Sequence, residues 1–345
     1  MKEIAPPLRV AFGIGAVGLA VAVVGWIVQP TRFYGAWLGA LFLLCAWPLG
    51  SMALLMTHAL TGGRWGIALN PALRTGVCAL PLLLPAAIPF AFGLPSLYEW
   101  AQPEGHELGN RFYLNVPFFE ARSAVYLVVW FVFAALVLRA RARAGLAAVG
   151  LFLLAVTTSF AAIDTTMSLD PHFTSSVYGM LTAAGMGLLA LSVALLLSIS
   201  RTEEASLRAD FGKLLLALAV LWIYLDFMQL LIVWQSDLAN ESPWYLDRSR
   251  GFWGAMRIVI AVGHFVVPFF LLLSPRFQRS PRMLTGLAAL LVAMEVLRTW
   301  WTVLPALGRH IGWADVACMV GVGGTAFGFA AWMNGTALAR GVRHG

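Results

Sequence analysis

Charge is scarce in this chain. Asp, Glu, Lys and Arg make up 11% of its 345 residues, against 60% hydrophobic, and mean hydropathy is +0.82, whereas soluble domains carry about a quarter charged residues. No long polar stretch separates the apolar blocks, which excludes a soluble domain of any class. Cysteine is equally sparse. Cys45, Cys78 and Cys318 lie far apart inside apolar runs and never as CxxC or CxxCH, which argues against an iron–sulfur site, a c-type haem attachment and a disulfide framework. The sequence pI near 9.8 would suit a nucleic-acid partner, but the basic residues are scattered over many short loops and form no stripe. They point to membrane topology instead, with lipid and not nucleic acid as the surroundings.

What the chain does have is apolar runs of roughly 17 to 25 residues, the length that crosses about 30 Å of hydrocarbon. Ten membrane-spanning helices are predicted, at 10–28, 36–58, 75–95, 122–138, 145–164, 175–199, 212–235, 252–273, 282–303 and 313–338. Pro30 and Arg32, Gly62 to Arg64, Pro103 to Arg111, and Arg139, Arg141 and Arg143 divide the first five. Lys2, Glu3 and Arg9 precede a first run without a small-residue cleavage site, so that run reads as a retained helix and not as a signal peptide. If both termini share one side, that side and the loops after the even-numbered spans hold about fifteen Lys and Arg residues against about six opposite. The positive-inside rule then places both termini in the cytoplasm. Most acidic residues fall on the other side: Glu99, Glu104, Glu107, Glu120, Asp164, Asp170, Asp237, Glu241, Asp247 and Asp315. The longest loop, 95–121, is also outside; with Tyr98, Trp100, Phe112 and Tyr113 it reads as a surface over the bundle, a partner contact or a solvated connector. The expectation is an all-α integral membrane protein, one polytopic domain over 1–345.

Ionisable groups inside such spans cost a few kcal/mol each at the bilayer centre, so each needs a partner, a protonation change or a water cavity. Asp226 lies mid-span with Tyr224 and Gln229 nearby; it is either a proton-relay residue or the acceptor of an interhelical hydrogen bond. Glu295 and Arg298 stand at i and i+3 on one helix face, where they can pair. That pair is either structural or linked to a proton or quinone. His264 in Gly-His-Phe-Val-Val-Pro, with Arg257 two turns toward the outer side, is a proton carrier, a donor to a quinone carbonyl or a satisfied polar residue. His58, at the inner end of the second span, is a haem partner for His264 only if the two meet, and nothing in the sequence places them together.

Three polar segments complete the inventory. One is Thr57-His-Ala-Leu-Thr-Gly-Gly-Arg-Trp-Gly, inside; the others, Asp164-Thr-Thr-Met-Ser-Leu-Asp-Pro-His-Phe and Glu241-Ser-Pro-Trp-Tyr-Leu-Asp-Arg-Ser-Arg-Gly-Phe-Trp, lie outside and can form one patch. Taken alone they are turns and interfacial aromatic belts. In order and spacing, together with GHFVVPFFLLLS, they resemble the ActF subunits of bacterial alternative complex III, within the NrfD and PsrC-like membrane proteins, from about residue 36 to 305. The matching positions are His58, Thr61, Gly62, Gly63, Arg64, Trp65 and Gly66; Ser168, Asp170, Pro171 and His172; Pro243, Trp244, Tyr245 and Arg248; and His264 and Pro268. The family commonly has His-Trp-Phe after Asp-Pro, whereas this chain reads His172-Phe173-Thr174, and its loops are short.

The resemblance implies a ten-helix, NrfD-like architecture in a bacterial cytoplasmic membrane. It also implies a cofactor-free subunit of a quinol:electron-acceptor oxidoreductase, with quinone binding or proton conduction as its role. Haem c and iron–sulfur clusters would sit in partner subunits, beside a sister quinol-binding membrane subunit and, in some complexes, a terminal oxidase. Two other classes stay open: a scaffold subunit of the same complex without proton or quinone work, and an independent secondary transporter. The transporter would call for a matching pair of interrupted spans, which the sequence does not display.

Overall fold

Proline and glycine set where the helices of this chain start and stop. Pro30, Pro275 and Pro281 each open a helix, a position whose N–H has no partner inside the helix in any case. Gly62 and Gly63 turn the chain at φ +69° and +100°, conformations that glycine adopts without a Cβ penalty. The computed structural model describes residues 6–102, 112–139 and 144–341. Lys2 and Glu3, Glu104, Glu107 and Arg111 of the long loop, and Arg141 and Arg143, lie outside the described residues.

Among the described residues the chain is helical throughout, without strands. The helices are α1 (Pro6–Val28), α2 (Pro30–Thr61), α3 (Arg64–Val77), α4 (Leu83–Leu97), α5 (Val116–Arg139), α6 (Ala144–Thr165), α7 (Tyr178–Ser198), α8 (Ala205–Ser236), α9 (Ser242–Arg248), α10 (Gly251–Ala261), α11 (Val267–Leu272), α12 (Pro275–Arg279), α13 (Pro281–Val303) and α14 (Trp313–Gly341). A π turn over Val262–Val266 joins α10 to α11. Ten stretches among the described residues are long and apolar enough to cross a membrane, α3 with α4 and α10 with α11 each making one, so every predicted span has its helix.

Several boundaries differ from the sequence reading, the fourth and seventh spans starting earlier, at Val116 and Ala205. Pro30 and Arg32 form no connecting loop, because only Gln29 separates α1 from α2. The third span begins at Arg64, not at residue 75, because the Gly62-Gly63 turn leads directly into α3. The Glu241 segment, expected as turns, contains the short helix α9 opened by Pro243.

The α2 and α7 helices are the most enclosed and pack on each other at the centre. Around α2 stand α3 to α6 and α14; α7 also packs on α3, α6, α8 and α13, while α10 packs on α13 and α11 on α8. The outermost pair, α1 and α14, runs antiparallel with backbones nearly touching: a Cβ on Gly18 would lie 2.5 Å from the amide nitrogen of Gly321, and one on Gly25 would meet Trp313. The start of α1 and the end of α14 therefore lie at one end of the bundle, called here the termini end; α9 lies at the other, the α9 end. Lipid tails are as apolar as leucine, so helices in a bilayer gain their cohesion from such close approach and not from expelling water.

Enlarging Gly18 to leucine is expected to destabilise the fold by about 1–3 kcal/mol through overpacking. Gly323→Ala, whose added Cβ meets nothing within 4 Å, should be neutral. Thermal unfolding of both variants in the same detergent measures the contrast.

Candidate functional site

Pro268 shapes the site. It has no N–H to offer the carbonyl of His264 four residues earlier, and its ring crowds that carbonyl in a regular helix. The backbone widens to a π turn in which the N–H of Val267 bonds back to Val262, an irregularity found mostly at functional positions. The turn changes the course of the helix. Toward the termini end α8 packs against α11, α12 and the π turn, whereas it makes little contact with α10. The resulting cleft between α8, α10 and α13 holds a cavity of ≈ 190 Å³ lined by Trp222, Asp226, Arg257, Arg298 and Trp301 among others.

Beside the cleft the Glu295 carboxylate, 2% exposed, accepts a hydrogen bond from the lining residue Arg298, Nε to Oε2 at 2.9 Å. Its other oxygen faces His264 Nε2 at 3.4 Å, and neither of those two atoms has a hydrogen-bond partner. His264 is fully buried, its ring 4.1 Å from that of Trp222, whose indole N–H is likewise unpartnered. Orphaned polar atoms this deep cost roughly 1–3 kcal/mol each, and a shared proton or bridging water at the His264–Glu295 contact would satisfy both. Gly185 of α7 makes the room: a Cβ there would lie 2.7 Å from Arg298 Nη2 and 2.9 Å from Glu295 Oε1.

Asp226 is half-buried on the cavity wall. Among the described residues it has no hydrogen-bond or ion-pair partner, and the charges acting on it are Arg257 and Arg298. Arg257 lies over the Tyr245 ring at 5.2 Å and donates to Ser249 Oγ at 3.2 Å. Of the residues singled out from the sequence, then, Asp226, Arg257, His264, Glu295 and Arg298 come together. Tyr224 does not: two residues from Asp226, it points outward from α8, 57% exposed.

The two outer polar segments do meet, as one cap at the α9 end. Phe173 stacks on Trp244 at 4.5 Å, and Trp244 lies beneath the Arg248 guanidinium at 3.9 Å. Arg248 is 2% exposed and bonds the carbonyl oxygens of Trp244 and Thr302 at 3.0 Å each; burial pushes its guanidinium down to about 10, still a cation at neutral pH. Asp170 accepts the backbone N–H of His172 at 3.2 Å to shape the turn, and His172 itself is exposed. Beneath the cap, Ser175 donates to Gln229 at 2.9 Å and Gln229 to Tyr245 at 3.1 Å. The inner motif stands apart at the termini end. There His58 contacts the Gly63 carbonyl at 3.0 Å and the edge of Trp65, and Arg64 pairs with Glu204 at 2.7 Å. The hydroxyl of Ser206, and then Arg64, hold that carboxyl below its ordinary value. His58 and His264 are not neighbours.

The Arg122–Asp164 pair was missed. Asp164, expected in a loop, is 1% exposed at the end of α6 and receives Arg122 at 3.0 and 3.1 Å and Tyr126 at 2.9 Å. It borders an apolar cavity of ≈ 100 Å³ among α2, α4, α5 and α6. The signal was opposite charges at the same end of consecutive spans. Gly185, Trp222 and Pro268 as the cause of the π turn also passed unnoticed, because nothing in their local sequence separates them from ordinary apolar helix. Comparison of the chain with protein-family models finds no match, and comparison with curated protein sequences finds none either.

Removing one member of a buried ion pair strands the other. Arg298→Gln alone is expected to cost about 3–5 kcal/mol of stability, while Glu295→Gln together with Arg298→Gln recovers most of the loss. Thermal unfolding of the three proteins in detergent checks this; equal loss in the single and double variants would contradict it.

Proposed function

We propose that this chain is a non-redox membrane subunit of a bacterial quinol:electron-acceptor oxidoreductase of the alternative complex III type, and that its second half relays protons. The observation that carries the reading is a convergence from three different membrane-crossing segments: Asp226, Arg257 and Arg298 line one cavity, and Arg298 in turn holds Glu295, which faces His264. Charged groups at such depth are expensive and mark ion or proton pathways by default. The four motifs similar to ActF subunits support the complex. In this reading the chain sits in the cytoplasmic membrane with both termini inside, beside a sister quinol-binding subunit. Iron–sulfur and c-type haem partners carry the electrons.

The residues divide the work. Asp226, unpaired and facing the cavity, takes up and gives back a proton. His264 and Glu295 share a second one across their 3.4 Å contact, and Arg298 keeps the Glu295 carboxylate from being stranded in its other state. A scaffold would need none of this, and the unpartnered acid on a cavity wall favours the relay over the scaffold.

Purification of the tagged chain in mild detergent, with mass spectrometry of co-purifying subunits and a redox difference spectrum, tests the complex. Haem c and iron–sulfur partners with quinol-dependent acceptor reduction are the expected outcome. In that complex Asp226→Asn is expected to lower proton release per electron to the scalar value of quinol oxidation while electron transfer persists; an unchanged ratio removes the relay. A colourless protein running alone, with solute flux in liposomes, would establish a transporter instead.

A further inference from the structure

The polar cavity is not continued toward the termini end. Asp226 and Lys213 along α8, and Glu295 and Arg282 along α13, stand thirteen positions apart, about 20 Å at 1.5 Å per residue. The inward faces of that layer are Leu215 and Ala219 of α8, Leu284, Leu287 and Leu291 of α13, and Leu272 of α11, each no more than 3% exposed. Two polar side chains at this level bond backbone carbonyls: Ser192 of α7 donates to Leu188 at 2.7 Å and Gln278 of α12 to Leu272 at 2.6 Å. A packed apolar layer of this depth offers no water site, since a buried water needs two to four polar partners.

Toward the α9 end the situation reverses. Arg257 lines the cavity and at the same time donates to the hydroxyl of Ser249, an exposed residue at the end of α9. One arginine side chain therefore bridges cavity and surface. The half-buried lining residues Ile223, Asp226 and Leu230 on α8, and Arg257 and Ala261 on α10, flank the cleft that the two helices leave open on this side.

We propose that the cavity is a one-sided, water-filled proton well: Asp226 on its wall exchanges protons with the α9 face only, and the leucine layer seals it and the adjoining His264–Glu295 pair from the termini face. The proposal rests on the proton-relay reading and adds its direction. Protons enter from and return to water at the α9 end, so the chain in this conformation is not a through-channel. Net transfer across the membrane would require the π turn at His264 to rearrange, or a partner subunit to supply the other half.

Cysteine accessibility tests the seal without turnover. In a Cys45→Ala, Cys78→Ala, Cys318→Ala background reconstituted into liposomes, single substitutions Asp226→Cys, Ile223→Cys, Leu215→Cys and Leu287→Cys are exposed to a membrane-impermeant charged methanethiosulfonate added on either side. Lys213→Cys and Leu238→Cys, exposed at the termini end and the α9 end respectively, report the sidedness. Asp226→Cys and Ile223→Cys are expected to react roughly tenfold faster from the α9 side, and the two leucine positions from neither, since only a wetted thiolate reacts. Ile223→Cys removes no charge and keeps the test valid if Asp226→Cys does not fold. Reaction of Leu215→Cys or Leu287→Cys from the termini side overturns the seal, and absence of reaction at Asp226→Cys and Ile223→Cys overturns the vestibule. If accessibility is as expected while Asp226→Asn leaves proton release unchanged, the one-sided vestibule stands and the relay reading falls.

Discussion

Glu295 and Arg298 can be buried only together. A lone ionised side chain in the hydrocarbon layer costs several kcal/mol, a large share of the net stability of a fold, while the pair, hydrogen-bonded at 2.9 Å, removes most of that penalty. Much of the second half of the bundle follows from housing it. Residue 185 on α7 must lack a side chain because the guanidinium and a carboxylate oxygen occupy the space where a Cβ would stand. His264 must reach the remaining Glu295 oxygen from the neighbouring helix, and the π turn before Pro268 lies where it carries that ring inward.

The two halves of the bundle treat buried acid differently. Asp164 is saturated: both its oxygens accept from Arg122, and Tyr126 adds a third bond. Such a carboxylate ties α5 to α6. Asp226 has cations nearby but no direct partner, and a neighbouring cavity to exchange with. Chemistry with protons needs the second arrangement, because a group that already makes every bond it can gains little from changing its charge. The cap of Phe173, Trp244 and Arg248 belongs to the half that holds Asp226 and not to the one that holds Asp164.

How much of this was legible depends on the range of each signal. The ten helices were readable because a bilayer-length apolar run is a local property, and backbone groups in hydrocarbon must bond within their own segment. Gln29 as the whole connection between α1 and α2 was not, since Pro30 signals both a break and a helix start. Glu295 with Arg298 was readable at helical spacing. That Asp226 faces Arg298 from another helix, while Tyr224 two residues away faces outward, was not, because α8 is apolar on nearly every side and its sequence carries no stripe to fix its rotation.

By itself, then, the sequence determined a polytopic helical architecture, the positions of its crossings and which ionisable residues would be costly enough to matter. Tertiary structure alone decided which of those residues meet and which are saturated. It also decided which end of the bundle the cavity approaches. The physical reason is that insertion into hydrocarbon is paid residue by residue along the chain, whereas the rotation of one helix against another is set by side-chain packing, by a missing Cβ at Gly185 and by a missing N–H at Pro268.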